Sequence, residues 1–159
     1  GGCHPRATTP CPGRMPSPNS ASSESLKRYV VDNGCALGIA TDGDADRLGV
    51  IDDKGNFLYP NQMRVILYYY LLKYRGWRGP VVRNVATTSL LDDVAHRFGQ
   101  ECHEVPVGFT WVSGKMLETD AIIGGESSGG LTVRGTSPAR TGSTPRPCSW
   151  RCWPWSANP

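Results

Sequence analysis

The 159-residue chain is only 38% hydrophobic and carries a formal net charge of +3, with a pI near 8.6. So mild a basic excess, much of it arginine in the terminal flanks, argues against nucleic acid as a partner. No apolar run approaches the length of a membrane span and the first residues lack the basic-then-apolar layout of a signal peptide, so the expectation is a cytoplasmic protein with free thiols and no membrane contact.

Composition is uneven along the chain. Ten of the 13 prolines and four of the six cysteines lie in residues 1–25 and 136–159, whereas roughly Glu24–Gly135 reads as ordinary α/β sequence. Cys148 and Cys152 form a C-x₃-C pair with no second pair or histidine nearby, which argues against zinc.

Glu24–Asn33 places Leu26, Tyr29 and Val30 at helical spacing and ends at Gly34, predicting a short helix. Ala36–Ala40 is a short apolar run, expected to be a buried strand that delivers Thr41–Arg47 to a sheet edge. Leu48–Ile51, a polar Asp52–Gly55 turn and Asn56–Tyr59 read as a hairpin. After Pro60, Asn61–Tyr74 is a long helix broken at Gly76. Then follow a strand at Pro80–Ala86, an amphipathic helix at Thr88–Phe98, a strand at Gln100–Val105, a helix at Gly108–Glu118 and a strand at Ala121–Gly124. This alternation predicts an α/β fold with a mainly parallel sheet, helices on its faces and ligands at the carboxyl ends of its strands.

Thr41–Arg47 reads Thr-Asp-Gly-Asp-Ala-Asp-Arg, with carboxylates at Asp42, Asp44 and Asp46 closed by a guanidinium. Two carboxylates about 4 Å apart repel by roughly 4 kcal/mol at the effective dielectric of a protein surface, so three converging in one loop call for a cation. Oxygen-only ligands suit Mg²⁺, Mn²⁺ or Ca²⁺, and Mg²⁺ commonly completes its shell with phosphate, which Arg47 is placed to hold. A solvated acidic turn and a phosphatase loop with an aspartate nucleophile remain open. An EF-hand fits poorly, since Arg47 stands where that loop needs glycine and Asp53 where it needs glutamate.

The second chemistry-bearing loop, Gly125–Gly130, offers Glu126, Ser127 and Ser128 on a glycine backbone expected to be flexible, a set suited to vicinal sugar hydroxyls or to a plain Gly/Ser turn. His96 is expected on a solvated helix face, and His103 lies in a strand beside Glu104 with no evident partner. The run Tyr68-Tyr69-Tyr70 suggests packing rather than a stacking platform.

With both loops placed on alternating strands and helices, the chain resembles the α-D-phosphohexomutases, the phosphoglucomutase/phosphomannomutase group, over about Gly13–Gly135. Thr41–Arg47 is similar to the family's metal loop, Gly125–Gly129 to its Gly-Glu-x-Ser-Gly sugar loop, and Gly13–Asn19 to the segment before its second-domain helix. The resemblance implies three-layer α/β/α domains with mainly parallel sheets, incomplete at both ends. Residues 13–55 would be the C-terminal part of domain II and residues 56–135 domain III, between an irregular flank at 1–12 and an aberrant tail at 136–159.

It also implies an isomerase chemistry that moves phosphate between C1 and C6 of a hexose through a phosphoserine and a bisphosphorylated sugar. Asp42, Asp44 and Asp46 would hold Mg²⁺, and Arg47 would steady the phosphate. Glu126 and Ser128, with Gly125 and Gly129, would grip the phosphorylated hexose. No phosphoserine loop has a counterpart here, and Thr110 stands where close relatives tend to be basic, so the expectation is a binding fragment without turnover. A non-catalytic phosphosugar module and a nonfunctional gene fragment are the alternatives. Read one base earlier, the degenerate codons of Thr136–Thr144 permit His-Ile-Pro-Gly-Lys-Asp-Gly-Ile-Tyr, a continuation that resembles the family's, so a frameshifted tail is expected.

Overall fold

The structure is a computed structural model that describes residues 18–42 and 47–135. The expected frameshifted tail, the 1–12 flank and the centre of the carboxylate loop lie outside those residues. The chain divides into two compact units, with the boundary between Tyr59 and Pro60.

In the first unit, helix α1 (Glu24–Asp32) precedes strands β1 (Leu37–Thr41), β2 (Leu48–Asp52) and β3 (Phe57–Leu58). A reciprocal pair opens the helix: Ser22 N–H donates to Asn19 Oδ1 at 2.8 Å and Asn19 N–H to Ser22 Oγ at 2.9 Å. The three strands form an antiparallel sheet in the order β1-β2-β3, with Gly38 opposite Ile51 and Ile51 opposite Phe57. Gly38 permits α1 to lie close, since a Cβ there would sit 2.7 Å from Val30 Cγ2. The hairpin turn is held by Asp52, whose Oδ1 accepts from the N–H groups of Lys54 and Asn56 while Oδ2 accepts from Asn56 Nδ2. These donors hold the Asp52 carboxyl below its ordinary pKa, the Asn56 side chain contributing most.

Strand β1 departs from the expectation of a buried strand. It begins one residue later than the apolar run, and Leu37 and Ile39 are 50% and 60% exposed. Alternation explains this: Gly38 and Ala40 face α1, whereas Leu37 and Ile39 point to the other face, on which no described helix of this unit packs.

The second unit alternates as anticipated: α2 (Pro60–Lys73), β4 (Val81–Asn84), α3 (Leu90–Arg97), β5 (Cys102–Val105), α4 (Phe109–Thr119), β6 (Ile123–Gly125) and β7 (Leu131–Val133). Its sheet runs β5-β4-β6-β7, with β4 parallel to both β5 and β6, and β7 an antiparallel edge. Strand β7 escapes sequence reading because it is three residues long and follows a glycine pair.

Helices cover both faces of this sheet. On one, Tyr68, Leu71 and Leu72 of α2 and Leu91 and Ala95 of α3 pack on Val81, Ile122 and Ile123. On the other, Val112 and Met116 of α4 pack on Val82 and Val105. Gly124 lets α4 approach, since a Cβ there would meet Met116 Sδ and lie 2.8 Å from Val112 Cγ1. Arg83 bridges neighbouring elements, 2.9 Å from Asp92 and 2.6 Å from Glu104. Burial of the guanidinium works against its charge, but the two carboxylates outweigh it and its pKa is raised. Among the described residues the cysteines are free, as expected, and burial pushes the Cys102 thiol up to about 12.

Tyr68 is wholly buried, its hydroxyl donating to the Gly79 carbonyl at 3.2 Å, and Tyr69 meets the Phe98 ring edge-on. The tyrosine run is thus packing. His96 is exposed, and His103 Nε2 lies 3.5 Å from Glu101 Oε2, a partner two positions back rather than beside it.

Candidate sugar-binding site

The second unit gathers its polar groups at the carboxyl ends of β4, β5 and β6. Parallel crossovers through α3 and α4 bring three chain-distant residues to one edge. Asn84 is the last residue of β4, Gly108 follows β5 as the N-cap of α4, and Glu126 follows β6.

Glu126 Oε1 accepts from the Gly108 N–H at 2.8 Å and from Asn84 Nδ2 at 3.3 Å. Asn84 is itself held, because the Thr87 hydroxyl donates to its Oδ1 at 2.7 Å. A carboxylate at the amino end of an eleven-residue helix also meets the favourable end of its dipole. Asn84 and Thr87 are almost fully buried, whereas Glu126 is half-buried and Ser127 and Ser128 are exposed. The arrangement presents one oriented carboxylate and two hydroxyls at a sheet edge, a set able to accept from and donate to the hydroxyls of a polyol.

The Gly125–Gly130 loop is not the loose glycine segment anticipated. It is a closed turn of the β6–β7 hairpin, with Glu126 N–H donating to the Gly130 carbonyl at 2.9 Å and Gly129 N–H to the Glu126 carbonyl at 3.0 Å. Gly129 has φ +111°, which a side chain would strain. Gly125 is needed for a different reason: a Cβ there would lie 2.5 Å from the Gly130 carbonyl oxygen and 3.0 Å from Arg64 Nη1.

Arg64, Asn84, Thr87 and Gly108 were not singled out by sequence. Arg64 left a signal, a charged residue on the helical stripe it shares with Tyr68, Leu71 and Leu72. It is 2% exposed, and burial lowers its pKa to about 10 while Glu126 acts in the opposite sense.

Of the charged residues of the carboxylate loop in the first unit, Asp42 and Arg47 are described. Asp42 Oδ1 accepts from the Arg47 N–H at 3.2 Å, and its Oδ2 lies 3.7 Å from Arg47 Nε. Asp44 and Asp46 lie outside the described residues, among which no cluster of three potential metal ligands occurs. The donor chemistry nonetheless fits a hard divalent ion: three carboxylates balanced by one guanidinium leave two negative charges in a seven-residue loop.

Residues 59–145 match the family domain described as phosphoglucomutase/phosphomannomutase, alpha/beta/alpha domain III, and residues 4–55 match domain II of the same family. The chain belongs to the phosphoglucomutase/phosphomannomutase family. It is 41% identical over 118 residues to a probable phosphoglucosamine mutase from Methanosarcina barkeri, covering 74% of this chain and 26% of that protein. It is 36% identical over 120 residues to a phosphoglucomutase/phosphomannomutase from Thermococcus kodakarensis, covering 76% of this chain and 26% of that one. A Thermus thermophilus protein assigned as a phosphomannomutase superposes with a TM-score of 0.69 at 36% identity, over 79% of this chain and 29% of that one. The chain therefore spans about a quarter of the length of the curated relatives it matches. Among the described residues no helix is long and apolar enough to cross a membrane.

Proposed function

We propose that this chain is the metal- and sugar-binding part of a cytoplasmic phosphohexomutase, acting on a hexose phosphate whose phosphate moves between C1 and C6. The observation that carries the reading is the Glu126 carboxylate, oriented by Asn84 and Gly108 on a closed hairpin at the carboxyl edge of the sheet. The named substrates of the similar proteins, phosphoglucosamine, phosphoglucose and phosphomannose, share a phosphorylated hexose and support that ligand class.

Glu126 Oε1 is engaged by the protein, so the carboxylate keeps a fixed orientation while its remaining lone pairs accept sugar hydroxyls. Ser128 and the backbone at Gly125 and Gly129 complete the grip. Asp42, Asp44 and Asp46 would hold Mg²⁺, which when bound neutralises charge on the transferring phosphoryl group. Arg47 would steady the phosphate. The 159 residues carry no phosphoserine loop of the family's kind, so we expect binding without turnover.

Isothermal titration of the full chain with glucose 1-phosphate, with and without Mg²⁺, tests this. Saturable binding is expected, and Glu126→Gln is expected to weaken it by about tenfold or more, the loss of a charge-assisted hydrogen bond. An absence of binding under both conditions overturns the reading. An assay for glucose 6-phosphate with a hexose bisphosphate primer should detect no conversion.

A further inference from the structure

The buried guanidinium of Arg64 has no part in the grip just described, yet it lies against the loop that makes it. Burying an ion carries a desolvation cost that neutral hydrogen-bond acceptors offset only in part, so an apolar chain of equal length would fill this stripe at least as well. Packing alone therefore does not account for the charge.

Two of the three guanidinium nitrogens are tied to the first turn of α2. Nε donates to the Pro60 carbonyl at 3.3 Å and Nη2 to Asn61 Oδ1 at 2.6 Å. Nη1 has no hydrogen-bond partner among the described residues. That free nitrogen lies against the backbone of Gly125, where a Cβ would come within 3.0 Å of it and within 2.9 Å of Arg64 Cδ. The next residue is Glu126, whose charge acts on the guanidinium. The glycine at position 125 is thus fitted to a charged neighbour that is anchored from the other side.

We propose that Arg64 is a positioning residue for the Glu126 loop: anchored by Pro60 and Asn61, its guanidinium supports the β6–β7 turn from the buried side and draws the Glu126 carboxylate into place against Asn84 and Gly108. Its consequence for ligand binding rests on the sugar-binding reading of that loop. Arg64 does not reach the ligand, since it is sealed from solvent beneath Gly125.

The test uses the full chain and the Gly108 amide resonance, which reports the Glu126 carboxylate without any ligand because that N–H donates to Oε1. Arg64→Met fills the volume without charge, and Arg64→Lys restores the charge without the planar fork. Arg64→Met should move the Gly108 amide toward its position in Glu126→Ala and weaken glucose 1-phosphate binding about tenfold. Arg64→Lys should return both most of the way, a rescue that a purely space-filling role would not produce.

Asn61→Ala frees Nη2 at the partly exposed start of α2 and should move the same amide in the same direction by less, which keeps the test decisive if Arg64→Met fails to fold. A Gly108 amide that stays in place in the folded variants overturns the proposal. Failure of the unaltered chain to bind glucose 1-phosphate would instead overturn the sugar-binding reading, and the Gly108 amide would still decide the positioning role.

Discussion

The two sheets of this molecule are built from similar apolar runs and end in different environments. Val81 and Val82 of β4 are 1% and 0% exposed because α2 and α3 cover one face and α4 the other. Leu37 and Ile39 of β1 are at least half exposed, and within that unit α1 is the one described helix. A short β-branched and leucine-rich run therefore specifies a strand, whereas its burial depends on a second layer that the run does not encode.

The comparison is sharpest where a side chain is removed from each sheet. Ile122, wholly buried between α2 and the strands, should cost about 3 kcal/mol on replacement by alanine, since transfer and cavity terms add. Urea denaturation followed by circular dichroism measures it. A loss below about 1 kcal/mol would mean that the doubly covered sheet is loosely packed.

A smaller, local effect is expected on acidification. The Asp52 carboxyl has its folded-state pKa depressed below the ordinary aspartate value, so its contribution is present above that ordinary value and disappears as pH falls through the lower folded one. Hydrogen exchange at the Asn56 amide, which donates to Asp52 Oδ1, should accelerate below about pH 4 beyond the intrinsic trend. The β4–β5 and β4–β6 ladders of the second unit, which lack such a carboxylate-capped turn, should show no matching step. Parallel behaviour in both sheets would remove the distinction.

The smallest effect belongs to the exposed face of β1. Ile39→Ser should change stability by less than about 0.5 kcal/mol, as surface substitutions usually do. A loss comparable to that of Ile122→Ala would show that the outer face of the first sheet is covered in solution.

Much of the architecture was legible in the residues. Helical spacing of Leu26, Tyr29 and Val30, the alternation of strands and helices from Pro60 onward, and the polar turn at Asp52–Gly55 each announced their element, because local periodicity and turn chemistry are written within a few residues. The Glu126 loop was legible as a place but not as a shape. Its closure depends on a Glu126–Gly130 backbone bond and a three-residue strand that no periodicity can reveal.

The sequence by itself determined the order of elements from α1 to β6, the membership of the chain in its family and the positions of its two polar loops. Tertiary structure alone decided that Glu126 meets Gly108 and Asn84, residues 18 and 42 positions away, and that Arg64 lies buried against Gly125. The reason is physical: parallel crossovers bring together groups separated by whole helices, so a contact they create leaves no trace in any local pattern.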